Sequence, residues 1–210
     1  MKKKFAAFDI DGTILRNALF FQVIDELIVK GLLPIESKKE LDDKFELYRQ
    51  RKHPEAFHTY SEVAVNTLFS NIHTLNLSDY RSAVDEVIKK SSSHVYVYTR
   101  DLISKLKEQG YFLIALSGSE MYAVEQFTKQ FDFDLAFGET YVEKDGMLTG
   151  EVGEVFRQKD VFLKKFVEEH NLTFKDSFAI GDSLADAKML DLVENPIAYN
   201  PEDSLYKLAK

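Results

Sequence analysis

Two rhythms of apolar and polar residues alternate along the chain. Apolar runs of strand length, Phe5 to Phe8, Tyr111 to Leu116 and Phe178 to Ile180, each lead into small or acidic residues. Strands buried on both faces of a parallel sheet read in this way, as near-continuous apolar segments. After the first run the period changes. Phe20, Val23, Ile24, Leu27 and Ile28 recur at helical spacing, Gly31 ends that stretch and Pro34 punctuates it. A second helix is predicted over Ser37 to Arg51, with Leu41, Phe45 and Tyr48 on one face, until Pro54 breaks it. Two more helical stretches run from Phe57 to Thr74 and from Asp79 to Lys90. No strand pattern of useful length interrupts them, so residues 15–94 are read as an all-helical insertion, with Ser91-Ser92-Ser93 as a hinge at its end.

Beyond the insertion the chain alternates again. A helix over Leu102 to Gln109 precedes the Tyr111 strand; a helix over Glu120 to Phe131 and a strand over Leu135 to Phe137 come after it. Glu139 to Glu143 and Met147 to Val152 flank Lys144-Asp145-Gly146, and Asp-Gly between two extended runs is a hairpin signal. Lys159 opens an amphipathic helix, Val161 to His170, that leads to the strand ending at Asp182. Strand and helix in alternation predict an α/β domain with a parallel, doubly wound sheet, formed by residues 1–14 and 95–210.

Composition narrows this picture. The chain has 210 residues, 45% of them hydrophobic, enough for one core domain with an insertion. Its net charge of −8 argues against nucleic acid or a membrane surface as partner, so an anion site would have to be locally positive. The absence of cysteine excludes disulfides, thiolate metal sites and a cysteine nucleophile. No apolar stretch of about 18 residues is present to span a bilayer. The basic start, Met1 to Lys4, is followed by too short an apolar stretch for a signal peptide, and a cytoplasmic enzyme is the simplest reading.

The candidate chemistry lies at the strand ends. In Asp9-Ile10-Asp11-Gly12-Thr13, an extended segment would point both acids to the same side. Two close carboxylates repel as anions, so one takes up a proton or a cation sits between them; taken alone, an Asp-Gly turn in water is an equal reading. Gly181-Asp182-Ser183-Leu184-Ala185-Asp186 closes another strand with acids, and by itself would be read as helix capping. Ser117-Gly118-Ser119 closes a third with a hydroxyl and a glycine, which either cradle an anion or cap the next helix. Lys159 alone is read as a solvated lysine.

Taken together and in this order, the segments resemble the haloacid dehalogenase superfamily of phosphohydrolases. Its four motifs, an Asp-x-Asp-Gly-Thr, a strand-ending Ser or Thr, a Lys and a Gly-Asp-Ser-x-x-Asp, stand here as Asp9/Asp11, Ser117, Lys159 and Asp182/Asp186. The resemblance implies a Rossmann-like core, a helical cap inserted after the first strand, and a Mg²⁺-dependent phosphatase acting on a small phosphorylated metabolite. It implies that Asp9 attacks phosphorus to form an aspartyl-phosphate and that Asp11 shuttles the proton. It further implies that Ser117 and the Gly118 amide hold the phosphate and that Lys159 neutralises its charge. Asp9, Asp182 and the backbone carbonyl of Asp11 would hold Mg²⁺, with Asp186 supporting the metal or Lys159; Gly12 and Thr13 would shape the turn and add donors. Lys164 and Lys165 are rivals for the lysine role.

The Asp132 to Gly150 stretch and the Asn195 to Pro201 tail resemble the phosphoserine-phosphatase-like branch, yet the glutamate with which phosphoserine phosphatases read the substrate's amino group is Ala18 here. The substrate is therefore expected not to be phosphoserine. Arg16 or Asn17 could instead stand near the mouth of the site. Arg49, Arg51, Lys52 and His53 form a basic cluster that would steer an anion or simply be solvated, while His53, His58 and His73 are too scattered for a metal site. Two alternatives stay open: phosphoryl transfer to an acceptor other than water, and a binding protein that keeps the fold without turnover.

Overall fold

The computed structural model describes residues 2–50, 56–91, 93–153 and 158–210. In chain order the elements are β1 (Lys3–Phe8), α1 (Leu19–Val29), α2 (Glu36–Arg49), α3 (Ala56–Phe69), α4 (Leu77–Ser91), α5 (Val97–Glu108), β2 (Phe112–Glu120) and α6 (Met121–Thr128). After them come β3 (Leu135–Glu139), β4 (Tyr141–Lys144), β5 (Met147–Val152), α7 (Lys159–Glu169), β6 (Leu172–Gly181), α8 (Ala187–Leu190), β7 (Asn195–Ala198) and α9 (Asp203–Leu208). They fall into two compact units: Met1–Leu19 with Ile88–Thr140 and Gly153–Lys210, and Phe20–Val87 with Tyr141–Val152.

The first unit is an α/β domain around a five-stranded sheet in the order β3-β2-β1-β6-β7, and every pairing in it is parallel. β1 lies at the centre, and its apolar residues are fully buried, as a strand covered on both faces requires. Phe5 and Ala7 join Ile114 and Leu116 of β2, Leu163 and Phe166 of α7 and Met189 of α8 in one apolar cluster, where Phe137 stacks on Phe166 at 4.0 Å. Ala6 and Phe8 face the other way, and Phe8 meets Phe133 edge-on at 5.8 Å. Helices therefore build the core from parallel strands in the Rossmann-like manner expected. Pro196 within β7 is tolerated because that strand forms the edge of the sheet.

β6 is longer than the Phe178 run suggests. Its first part pairs Lys3 with Leu172 and Lys4 with Thr173; the register then shifts, and Ala6 stands opposite Phe178. Asp176, at φ 57°, turns the chain out of the ladder between these two parts. The bulge is sealed by a side chain: the Phe5 N–H donates to Ser177 Oγ at 3.0 Å. Polar Thr173, Lys175 and Asp176 hide this part of the strand in the sequence.

The second unit holds most of α1, then α2, α3 and most of α4, and also the β4–β5 hairpin. Sequence order alone assigns the hairpin to the α/β domain with the rest of 95–210. The helical unit claims it because the extended link Leu75 to Leu77 offers backbone groups to β5. Leu148 N–H donates to Leu75 O at 3.0 Å and Leu77 N–H to Gly146 O at 2.8 Å, while Tyr141 packs on Phe69 and Tyr80. The insertion is thus not purely helical. Helix ends differ too: α5 begins at Val97 rather than Leu102, and α3 stops at Phe69, short of a separate 3-10 turn over Ile72–Thr74. Of the serine hinge, Ser91 is the buried last residue of α4, and Ser92 lies outside the described residues.

Ser177→Ala should leave the buried Phe5 N–H without its acceptor. Unfolding in urea is expected to show a loss of about 1–3 kcal/mol; stability equal to that of the unaltered protein would mean that the bulge does not depend on this hydroxyl.

Candidate active site

Three strand ends meet at the carboxyl edge of the sheet. Asp9 comes directly after β1, and its N–H still donates to Ile180 O at 2.9 Å. β1 lies between β2 and β6, so the chain order reverses beside it, which is where open parallel sheets bind ligands. Asp9 is 4% exposed. Its Oδ1 accepts from Lys159 Nζ at 2.6 Å, whereas Oδ2 is buried and, among the described residues, meets no hydrogen-bond donor.

Lys159 is the first residue of α7 and is 2% exposed. It donates a second time, to Asp186 Oδ1 at 2.7 Å. Asp186 Oδ2 accepts from the N–H groups of Asp182 and Ser183, at 3.2 and 3.0 Å, and from the Ser183 hydroxyl at 3.0 Å, closing a capping box with Ser183. Asp186 thus caps the turn before α8 and also anchors the lysine. Gly181 makes room for it, since a Cβ there would fall 2.5 Å from Asp186 Cβ. The rival lysines are exposed, Lys164 paired with Asp160 and Lys165 with Glu169.

Asp182 stands just past β6, where its Oδ1 accepts from the Thr13 hydroxyl at 3.2 Å. Gly12, at φ 89°, lies so close to the Asp182 carboxylate that any Cβ would overlap it. Carboxylate oxygens of Asp9, Asp182 and Asp186 lie within 4.8 Å of one another. Burial drives the Asp9 carboxyl well above its ordinary value; the Lys159 ammonium opposes this, and Asp186, Asp182 and Asp11 reinforce it. Burial, with Asp186 beside it, pushes the Asp182 carboxyl up to about 7. Burial alone would lower the Lys159 ammonium, but Asp186 and Asp9 together raise it. Two of the three carboxylates, Asp9 and Asp186, bond the one lysine, and Asp182 stands beside them. This oxygen-only donor set, with an orphaned buried oxygen on Asp9, fits a hard divalent cation. Asp9 and Asp182 are its candidate side-chain ligands, because both Asp186 oxygens already hold protein donors.

Asp11 does not lie beside Asp9 on an extended segment. The strand has ended: Ile10 O accepts from Ile14 and Leu15 N–H, each at 2.9 Å, closing a single helical turn. The Asp11 carboxylate turns toward β2 instead. Its Oδ2 accepts from the hydroxyls of Ser117 and Ser119, each at 2.7 Å, and its Oδ1 from the N–H of Leu19, the first residue of α1, at 2.7 Å. Only its backbone carbonyl is left as a candidate metal ligand.

Ser117 is not a helix cap. β2 runs on to Glu120, whose carboxylate caps α6 by accepting from Ala123 N–H, and Ser117 lies fully buried within the strand with Gly118 half-buried after it. Ser119 carries no role in the sequence motifs; the two-residue spacing that puts it on the same strand face as Ser117 is the available signal. Arg16 is exposed and lies over the Tyr96 ring at 5.4 Å, and Ala18 is half-buried. Arg49 pairs with Glu46, while Arg51, Lys52 and His53 lie outside the described residues. His58 and His73 are both exposed.

The model of the haloacid dehalogenase-like hydrolase family matches residues 6–191. The chain belongs to the haloacid dehalogenase-like hydrolases. Among these hydrolases it is 24% identical over 201 residues to a phosphoserine phosphatase of Methanocaldococcus jannaschii, covering 94% of this chain and 86% of that one. A phosphoserine phosphatase of Streptomyces coelicolor is 30% identical over 122 residues, 57% of this chain and 29% of that one. A Bordetella pertussis protein of unknown function has the same fold, with a TM-score of 0.78 at 21% identity, covering 100% of this chain and 95% of that one. So has a phosphoserine phosphatase solved as a phospho-aspartyl intermediate analogue, with a TM-score of 0.67 at 24% identity and coverage of 99% and 91%. This haloacid dehalogenase-like hydrolase is accordingly of the phosphatase type. Among the described residues, no helix is long and apolar enough to cross a membrane.

A carboxyl whose value is raised by folding binds its proton more tightly in the folded than in the unfolded chain. With divalent cations removed by chelator, stability should therefore fall as pH rises from the ordinary 3.8 of Asp182 toward about 7. Asp182→Asn should flatten that slope and raise the melting temperature at pH 8 in chelator. A slope unchanged by the substitution would show that Asp182 is not its source.

Proposed function

We propose that this hydrolase is a Mg²⁺-dependent phosphatase that releases phosphate from a small phosphorylated metabolite through an aspartyl-phosphate on Asp9. The observation that carries this reading is the state of Asp9: one oxygen fixed by Lys159 at 2.6 Å, the other buried and without a donor among the described residues. A carboxylate so held is oriented without being hydrogen-bonded on both oxygens, as a nucleophile must be.

Hydrolysis of phosphate monoesters is accelerated by up to ~10²¹, and general acid catalysis supplies only roughly 10²–10⁴ of that. Several groups must act together. Asp9 attacks phosphorus as the bond to the leaving oxygen breaks, and Asp11, protonated, gives its proton to that oxygen. Water then attacks the phosphorus of the aspartyl-phosphate while Asp11 takes a proton from it, restoring Asp9 and releasing phosphate. Lys159 and the Ser117 hydroxyl, with the Gly118 amide, balance charge on the phosphoryl oxygens. Asp9, Asp182 and the Asp11 carbonyl would hold Mg²⁺, and Thr13 steadies Asp182. When bound, Mg²⁺ supplies positive charge that keeps Asp9 ionised and stabilises the transferring group.

The relatives from Methanocaldococcus jannaschii and Streptomyces coelicolor are phosphoserine phosphatases, but Ala18 offers no carboxylate to an amino group. The substrate is therefore a phosphorylated metabolite other than phosphoserine.

Phosphate release from p-nitrophenyl phosphate and a panel of phosphometabolites is expected with Mg²⁺ and to stop with chelator. Asp9→Asn should abolish it, and Asp11→Asn should slow breakdown of the phospho-enzyme. Full turnover by Asp9→Asn would overturn the nucleophile assignment, and phosphoserine as the best substrate would overturn the reading of Ala18.

A further inference from the structure

Ser117 has one hydroxyl proton and two claims upon it. It donates that proton to Asp11 Oδ2 at 2.7 Å, and the proposed mechanism needs the same proton on a phosphoryl oxygen. If Ser117 turns to the phosphate, Asp11 loses a donor at the moment its carboxyl must be in place. Ser119 resolves the conflict. Its own hydroxyl donates to the same Asp11 oxygen at 2.7 Å, and its backbone N–H donates to Ser117 Oγ at 2.9 Å. The residue is 1% exposed and lies two positions beyond Ser117 near the end of β2, where the register with β3 shifts between Leu116 and Glu120 and its N–H turns to Ser117 Oγ.

We infer that Ser119 is a positioning residue for the proton-shuttling acid: it holds Asp11 while Ser117 serves the phosphate, and its backbone steers the Ser117 oxygen. The inference rests on the phosphatase reading proposed for this site. Ser119 acts through Asp11 and touches no reacting atom, so its loss should slow turnover without weakening substrate binding.

The test compares the unaltered protein with Ser119→Ala, Ser119→Thr, Asp11→Asn and the Ser119→Ala/Asp11→Asn double variant, using p-nitrophenyl phosphate with Mg²⁺, rapid-quench phospho-enzyme lifetimes and melting temperatures. Ser119→Ala is expected to lower kcat about 10-fold and lengthen the phospho-enzyme lifetime, with KM changed by less than about 2-fold. Ser119→Thr, which keeps the hydroxyl, should recover most of the rate. In the Asp11→Asn background, Ser119→Ala should cost nothing further, because the group it positions is already disabled.

An unchanged kcat in Ser119→Ala overturns the inference. So does the same fold-loss in both backgrounds, or a loss in Ser119→Thr equal to that in Ser119→Ala at an unchanged melting temperature. Asp9→Asn separates the two levels. If it is inert while Ser119→Ala turns over normally, only the role of Ser119 falls; if it turns over, the phosphatase mechanism falls and the inference with it.

Discussion

The buried ammonium of Lys159, shared between Asp9 and Asp186, ties the α/β domain together at its functional edge. It joins the start of α7 to the end of the central strand and to the capped turn after β6. Removing one partner from such a buried group costs about 3–5 kcal/mol, because the charges left behind stay unpaired. The identities of the surrounding residues obey this constraint. Gly181 is a glycine because Asp186 must approach the backbone, and Gly12 is one because Asp182 must. Asp186 has both oxygens occupied, so it stiffens the lysine and leaves Asp9 and Asp182 as the candidate ligands of a cation.

Much of this was legible because it is local. The apolar runs of β1, β2 and β6 announce buried parallel strands, and the polar residues at the carboxyl end of each run form the site. The order of acids, hydroxyl and lysine then specified the family. Features hidden in the sequence were decided by distant partners. The hairpin was recognised from Lys144-Asp145-Gly146, but its place depends on Leu75 and Leu77, backbone groups that no side-chain pattern advertises. The first half of β6 escaped because Ser177 repairs a bulge among polar residues. A continued strand would set Asp11 beside Asp9; the single turn at Ile10 rotates it toward β2, and its neighbours there, Ser117 and Ser119, are more than a hundred residues away in sequence.

The two aspartates of the opening motif consequently serve different neighbours. Asp9 belongs to β6 and α7 through Lys159, and Asp11 belongs to β2 and the start of α1 through two hydroxyls and the Leu19 N–H. Separating them leaves one oxygen of Asp9, the proposed nucleophile, without a donor among the described residues, while both oxygens of Asp11 are held. Two carboxylates in one environment cannot both stay ionised without a counter-charge. One residue of turn, Ile10, is enough to give each acid its own surroundings.

Charge balance decides what else the site needs. Lys159 is fully engaged by two carboxylates, and Asp182 adds a third. A phosphomonoester brings roughly −1.5 to −2 more. At the effective dielectric of a partly buried site, two unit charges about 4 Å apart interact by about 4 kcal/mol, so a dianion could not enter beside these acids on the strength of one lysine already paired. Either the acids take up protons, which would disarm Asp9, or a divalent cation enters with the phosphate. Only the second would keep Asp9 ionised for the role proposed for it, and it would give the orphaned Asp9 Oδ2 a partner that no described residue provides. Burial and the neighbouring acids raise the Asp9 and Asp182 carboxyls, and a cation held between them would oppose both effects.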